Sequence, residues 1–292
     1  MVSTRSDGIE HISETWLDNG IHVLSEYLPS VRSAAIGVWV RQGSAHETDI
    51  DSGVSHFLEH MVFKGTERRS AREIALSLES LGGLLDAYTT REHTSYQARV
   101  LDEHLEKALD VLADLTQAPL LMGDHLEMER EVILEEIAQV QDTPDDLVFE
   151  MHADQLWQGH PYGRSILGTK ESVSEITSAK LRELHRTTYH GQNLIVAAAG
   201  NLRHEEFVDT VRRLFPAYSA VKDERSLTVA PDKIRHGDIS VTRASAQTHI
   251  VFGTNVPGHS HSDRYPLALV SSALGGGMSS RLFQRIREEM GL

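Results

Sequence analysis

The segment from His56 to His60 constrains the fold of this chain more than any other part of the sequence. Its residues read His-Phe-Leu-Glu-His, and on a helix the positions i, i+3 and i+4 share one face. His56, Glu59 and His60 therefore form one stripe of a helix predicted over residues 53–64, whose other faces are apolar. Such a helix is buried, so its polar side chains need partners, because an unpaired buried polar group costs about 1–3 kcal/mol.

Two imidazoles one helical turn apart present nitrogens at a separation suited to a tetrahedral zinc ion. The carboxylate of Glu59 beside them can act as a general base toward water. This His-x-x-Glu-His order is the reverse of His-Glu-x-x-His and is a metallopeptidase signature. The alternative is a pair of core histidines that hydrogen-bond the backbone, with Glu59 facing solvent.

The composition limits the kinds of site and partner that this chain can have. It has 292 residues and no cysteine, which excludes disulfides and thiolate metal sites and leaves histidine and carboxylate ligands. The net charge, 28 − 43 = −15, argues against nucleic acid as a partner. The sequence lacks a run of about 18 apolar residues, and residues 1–16 resemble neither a secretory signal nor a transit peptide. We therefore expect a cytoplasmic protein without a membrane partner.

A helix predicted over residues 124–141 offers a third zinc ligand. On its 3.6-residue period, Glu129 and Glu136 fall on the apolar face, whereas Glu131 and Glu135 point nearly opposite. A carboxylate on the buried side needs a cation or a proton. Zinc would satisfy Glu136, and Glu129, two turns earlier, would orient one of the histidines. The alternative is that both carboxylates reach past the core to surface Arg or Lys side chains.

Periodicity and turn residues predict strands that feed helices, which indicates a mixed α/β sandwich. Asn19-Gly20 is the turn of a hairpin over residues 16–28, and Ser70 with Glu73 forms a capping box. We expect further strands over residues 32–41, 84–90, 94–100, 194–200, 237–243 and 247–255, and helices over residues 53–64, 70–81, 102–116, 124–141, 145–157, 178–188, 203–214, 263–274 and 279–289. The polar segment 217–233 predicts a domain boundary.

Five segments of the chain resemble the pitrilysin/insulinase family of zinc peptidases. They are SGVSHFLEHMVFKGT (52–66), GGLLDAYTTREHTSY (82–96), EREVILEEI (129–137), HPYGRSILG (160–168) and LGGGMSSRLFQRIREEMGL (274–292). They are most similar to bacterial members akin to the β subunit of the mitochondrial processing peptidase. The resemblance implies an α+β fold with a complete N-terminal domain over 1–222 and the start of a similar domain over 223–292. It also implies a C-terminal truncation, because family members continue well past the last segment.

The family motif implies a role for each residue of the predicted site. His56 and His60 are the zinc ligands and Glu59 is the catalytic residue. The third ligand of the family is a Glu roughly 75 residues after the second His, and 136 − 60 = 76 selects Glu136. Glu129 matches a position that supports the site. The implied cofactor is Zn²⁺.

The resemblance also implies how a peptide substrate binds. The family holds its substrate as an added strand on a sheet edge, and the corresponding residues here are Leu85, Asp86, Ala87 and Tyr88. Asp86 stands where the family usually has Asn, which favours basic substrates. The alternative is that 84–90 is an ordinary sheet strand without a role in binding.

The activity that the resemblance implies is that of a zinc metalloendopeptidase acting on oligopeptides or extended polypeptide segments. It further implies a homodimer, or a hetero-oligomer with a related subunit. The alternative function is that of a non-catalytic scaffold or partner subunit in a related hetero-oligomeric peptidase. Retention of His56, Glu59, His60 and Glu136 favours the enzyme.

Overall fold

The structure, a computed structural model, describes residues 12–216 and 235–292. Its strands are β1 Ile12–Trp16, β2 His22–Tyr27, β3 Ser33–Val40, β4 Leu84–Thr89, β5 Thr94–Leu101 and β6 Leu194–Gly200. Its α-helices are α1 Val54–Val62, α2 Ala71–Glu79, α3 Leu105–Gln117, α4 Gly123–Asp142, α5 Pro144–Leu156, α6 Lys170–Glu175, α7 Ser178–Thr188, α8 His204–Leu214 and α9 Arg264–Gly275. Short 3₁₀ turns occur between several of these elements.

The described strands form one sheet in the order β1-β2-β6-β3-β5-β4. Strands β2 and β6 are parallel, and every other neighbouring pair is antiparallel. In the middle of the sheet, Val38 of β3 lies opposite Tyr96 of β5 on one side and Val196 of β6 on the other. All three side chains are fully buried, so the register of β3 is fixed by the core.

Helices cover one face of this sheet. Helix α3 contacts β3 and β5, α8 contacts β2 and α3, and α1 contacts β4 and β5. Helices α4 and α7 pack on α1 in turn. The β3 side chains that face this layer are all buried: Ala34, Ile36, Val38 and Val40. A mostly antiparallel sheet with helices packed on one face is an α+β arrangement, which confirms the predicted fold class.

The other face of the sheet is more open. Trp16, Leu84 and Tyr88 are exposed there, and the Trp16 ring stacks on His22 with ring centroids 4.0 Å apart. A cavity of about 740 Å³ lies at one end of this face and contains none of the predicted site residues. The predicted zinc ligands and Glu59 lie instead on the helix side of the sheet.

Most of the predicted elements are confirmed to within a few residues. Gly20 turns the first hairpin with φ 93°. At the start of α2, Ser70 Oγ accepts from the Glu73 backbone N–H and Glu73 Oε2 accepts from the Ser70 backbone N–H, which is the predicted capping box. The short helix α6, with six residues, is not predicted because it spans less than two turns.

The strands predicted over 237–243 and 247–255 are wrong. Neither segment pairs with a strand anywhere in the described part of the chain. Ile239, Val241 and Ile250 are exposed. Alternating apolar residues favour a strand only where a neighbouring strand satisfies the backbone N–H and C=O groups, and here none does so.

The chain divides into two compact units, Met1–Val251 and Phe252–Leu292. The second unit contains α9 and a π-helical segment, Phe283–Glu289, inside the helix predicted over 279–289. The predicted linker 217–233, with the boundary between 222 and 223, lies outside the described residues. Within the described ranges, every helix is too short or too polar to cross a membrane.

Candidate metal centre

Helix α1 forms the base of the site and is anchored at its N-terminus. Gly53 precedes the helix with φ 91°, where a Cβ atom would lie 2.5 Å from the Leu167 carbonyl oxygen, so only glycine fits. Gly53 has no side chain to cap the helix. Glu47 supplies the cap instead: its Oε2 accepts from the Gly53 N–H and its Oε1 from the Ser55 N–H, each at 2.8 Å.

The two histidines of α1 and a glutamate of α4 converge. The His56 and His60 rings lie with centroids 4.6 Å apart. His56 Nε2 is 3.8 Å from Glu136 Oε2, and His60 Nε2 is 3.8 Å from Glu136 Oε1. One ligand atom from each residue lies within 4.8 Å of the other two. No other set of His, Asp and Glu side chains in the described ranges meets this spacing.

This donor set fits a zinc ion. With zinc–ligand bonds of about 2.0–2.2 Å in a tetrahedral arrangement, ligand atoms are separated by about 3.3–3.6 Å, close to the separations in the structure. Two histidines and one glutamate are also a ligand set of catalytic zinc sites, which keep one position open. Burial and the neighbouring His60 lower the pKa of His56 to about 3, so its imidazole is neutral at pH 7 and can donate a lone pair.

Glu129 lies behind the histidines and contacts two cationic or donor groups. His60 Nδ1 donates to Glu129 Oε2 at 3.2 Å when the ring carries its proton there, which leaves Nε2 free on the Glu136 side. Lys64 Nζ lies 2.6 Å from Glu129 Oε1. Glu129 thus contacts a histidine of the site and also pairs with a lysine.

Glu59 is buried one helical turn from His56 and next to His60. Thr89 Oγ1, on β4, donates to Glu59 Oε2 at 2.6 Å. Burial raises the pKa of Glu59, while the hydrogen bond from Thr89 and the nearby His60 oppose this rise. The hydrogen bond thus fixes the Glu59 carboxylate beside the candidate metal position, where it can accept a proton.

Strand β4 lies at the edge of the sheet, with β5 as its one neighbour among the described strands. The four residues predicted to bind substrate are divided between its two faces. Leu85 and Ala87 are half-buried and pack against the core, whereas Asp86 and Tyr88 are exposed on the opposite face. A peptide added to the outer edge of β4 would meet side chains of both faces.

Three residues that are not predicted from the sequence also contribute to the site: Thr89, Lys64 and Glu47. Alternate residues of a strand share one face, so Thr89 lies on the same face as Leu85 and Ala87. This pattern could have predicted that Thr89 contacts α1. Lys64 lies four residues after His60, and this spacing could have predicted that both side chains contact Glu129. No local pattern identifies Glu47, because it lies outside α1.

His160 and Tyr162 brace the turn after β4. Tyr162 Oη donates to Glu92 Oε1 at 2.7 Å, and the Tyr162 carbonyl oxygen accepts from Arg91 Nε at 2.7 Å. His160 Nδ1 accepts from the Tyr162 backbone N–H at 3.2 Å. These contacts fix the turn that follows the edge strand.

Comparison with known proteins finds two family models. Residues 22–170 match the model of insulinase, peptidase family M16, and residues 175–292 match the model described as the peptidase M16 inactive domain. All of the candidate ligands and Glu59 lie within the first match. The second match begins before the predicted linker 217–233 and continues to the last residue.

Relatives of similar sequence carry the name of zinc proteases. An uncharacterised zinc protease of Mycobacterium leprae is 42% identical over 99% of this chain and 65% of its own length. One from Streptomyces coelicolor is 40% identical over 98% of this chain and 63% of its own length. The chain thus spans about two thirds of the length of these relatives.

Among solved structures, a protease from Helicobacter pylori matches with a TM-score of 0.83 and 24% identity, over 96% of this chain and 69% of that one. A putative M16-like peptidase from Alicyclobacillus acidocaldarius matches with a TM-score of 0.67 and 26% identity, over 79% of this chain and 53% of that one. The first of these likenesses is informative about the fold alone.

Proposed function

Because the chain belongs to the insulinase family, peptidase family M16, we propose that it is a zinc metalloendopeptidase whose metal ligands are His56, His60 and Glu136. One observation carries the proposal: the Nε2 atoms of both histidines face the two oxygens of Glu136, each at 3.8 Å. Glu59 is buried beside them, where a metallopeptidase needs its general base.

The residues of the site have separate tasks in hydrolysis. A bound zinc ion would acidify a water molecule and polarise the scissile carbonyl group. The Glu59 carboxylate accepts a proton from the attacking water and delivers it to the leaving amine. The hydrogen bond from Thr89 orients that carboxylate. Glu129 holds the proton of His60 on Nδ1, so that Nε2 keeps its lone pair.

The proposed substrates are oligopeptides and extended or unfolded segments of polypeptides. The outer edge of β4 offers backbone groups to an added strand, and such bonds do not depend on the side chains of the substrate. A folded domain cannot present an extended segment of this kind without local unfolding. Asp86 on the exposed face of β4 would favour basic side chains on the substrate.

The alternative function is that of a non-catalytic scaffold or partner subunit. The match of residues 175–292 to a model described as an inactive domain is the observation that favours it. Either function is compatible with a homodimer or a hetero-oligomer with a related subunit. The two functions differ in what they require of Glu59, since a scaffold has no need of a buried base beside the metal.

The test is metal content and peptide hydrolysis measured on the same samples of wild type, Glu59→Gln and Glu135→Gln. Glu135 is an exposed residue of α4 and serves as the control. We expect about one zinc per chain in all three, and hydrolysis reduced about 10²- to 10⁴-fold in Glu59→Gln alone. Bound zinc in all three proteins, with no hydrolysis by wild type or Glu135→Gln, would favour the scaffold. Wild-type protein without zinc would overturn the proposal.

A further inference from the structure

Glu47 is a buried carboxylate that the proposed chemistry does not use. Its residue is 7% exposed, and its two oxygens accept from the backbone N–H groups of Gly53 and Ser55. The first N–H groups of a helix have no partner within the helix. Glu47 therefore takes the place of a local N-cap, and its negative charge lies at the positive end of the helix dipole.

Contacts from other parts of the chain hold Glu47 and the start of α1 in place. Arg164 Nη1 donates to the Glu47 carbonyl oxygen at 2.7 Å, and its Nη2 lies 2.7 Å from Asp49 Oδ1. Gln42 Nε2 donates to Ser55 Oγ at 3.1 Å. The cap is thus part of a rigid frame built from several segments, rather than a flexible contact.

The two histidines differ in how their rings are held. The Nδ1 atom of His60 is held by Glu129, a side chain of another helix. The Nδ1 atom of His56 is buried and has no hydrogen-bond partner among the described residues. The His56 ring thus has no hydrogen bond at Nδ1 to orient it, and its backbone belongs to the helical turn that Glu47 caps.

We propose that Glu47 is a positioning residue of the metal centre, which fixes the first turn of α1 so that His56 faces Glu136 at the distance needed for a shared zinc ion. This inference rests on the proposed function of the site. In this role Glu47 touches neither the metal nor the substrate. It acts on zinc affinity through the backbone of Gly53 and Ser55.

The experiment measures zinc affinity by competition with a chromophoric chelator, at a temperature well below unfolding. Glu47→Ala and Glu47→Gln are compared with wild type and with Asp114→Asn. Asp114 is a buried carboxylate of α3 that accepts from Thr66 and pairs with Arg68, so its replacement costs stability away from the first turn of α1. We expect Glu47→Ala to weaken zinc binding about tenfold.

The remaining variants separate positioning from general destabilisation. The amide oxygen of Glu47→Gln can still accept one of the two N–H groups, so its loss of affinity should be smaller but in the same direction. If Glu47→Ala does not fold, the zinc affinity of Glu47→Gln alone is compared with that of wild type. Asp114→Asn should lower the melting temperature and leave the zinc affinity within about twofold of wild type.

Three results would overturn the inference, and the last of them is distinguishable from the other two. Wild-type zinc affinity in both Glu47 variants, or an equal loss in Asp114→Asn at equal loss of melting temperature, would show that Glu47 contributes only to stability. A wild-type chain that binds no zinc would overturn the proposed function of the site, and this inference with it.

Discussion

Thr89 Oγ1 donates a 2.6 Å hydrogen bond to Glu59 Oε2, which joins the last residue of the edge strand β4 to the carboxylate on α1. The strand proposed to bind the substrate and the residue proposed to move its protons are therefore in direct contact. A shift of β4 would change the orientation of the carboxylate.

We expect Thr89→Val to lower kcat about 10- to 100-fold, because a hydrogen bond to a charged group is lost from an isosteric side chain. The KM and the zinc content should remain near those of wild type, since neither the strand backbone nor the metal ligands change. Steady-state kinetics on one peptide provides the measurement. Thr89→Ser keeps the hydroxyl and is the control; equal losses in both variants would contradict the prediction.

Removal of the Glu129 carboxylate should weaken zinc binding. In Glu129→Gln the acceptor for His60 Nδ1 is weaker and Lys64 loses its counterion, so we expect a 10- to 100-fold lower affinity, by analogy with other residues that orient metal-bound histidines. Competition with a chelator measures it. Glu131→Gln, an exposed position on the same helix, is the matched control. Unchanged affinity in Glu129→Gln would count against the role of Glu129.

The exposed carboxylate of Asp86 should favour basic side chains near the cleavage point. Asp86 has no ion-pair partner among the described residues, and its charge acts on Glu59. We expect Asp86→Asn to lower kcat/KM about two- to fivefold for peptides with Arg or Lys, relative to matched neutral peptides. For wild type, the ratio of kcat/KM for a basic peptide to kcat/KM for its neutral match should approach one as salt is raised, because exposed charges are screened. If neither the substitution nor the salt changes this ratio, the preference is refuted.

His185 should make the stability of the N-terminal unit depend on pH. Burial lowers its pKa below the ordinary 6.5, and its Nε2 donates to the Thr116 carbonyl oxygen at 2.9 Å. The folded chain thus favours neutral His185. Its contribution is full above pH 6.5 and is lost as the pH falls from there toward the lower folded pKa, since the unfolded chain takes up the proton first.

Urea unfolding at pH 7.5 and pH 5.5 tests this dependence. The comparison is wild type against His185→Gln, because the glutamine amide can donate to Thr116 without titrating. We expect wild type to lose more stability on acidification than the variant does. Equal losses would show that other groups account for the pH dependence.

Helical periodicity identifies the members of the site that lie on helices. The 3.6-residue pattern predicts Glu129 and Glu136 on the buried side of α4, and in the structure both carboxylates face histidines of α1. The same pattern cannot show what lies across from a helix. Thr89 and Glu47 reach α1 from a strand and a loop, so their contacts depend on tertiary packing that the local sequence does not encode.

The strands predicted over 237–243 and 247–255 show a second limit of prediction from sequence. Alternating apolar residues indicate that one face of a segment could be buried in a sheet. They do not indicate whether a neighbouring strand is present. Strand β6 lies between β2 and β3, and both neighbours satisfy its backbone. The two predicted segments have no such neighbours among the described strands and remain exposed.

The position of β6 between β2 and β3 has a consequence for synthesis on the ribosome. Until Leu194–Gly200 emerges, the hairpin β1–β2 has no edge of β3 to join, because β6 separates them in the sheet. At this stage α1 and the candidate ligands His56, His60 and Glu136 are already synthesised. Only β3, β5 and β4 can then form the sheet on which α1 packs. Before that point, the edge of β3 that later pairs with β6 presents unpaired backbone N–H and C=O groups, which a chaperone could bind. Metal acquired at this stage would bind a partly folded chain.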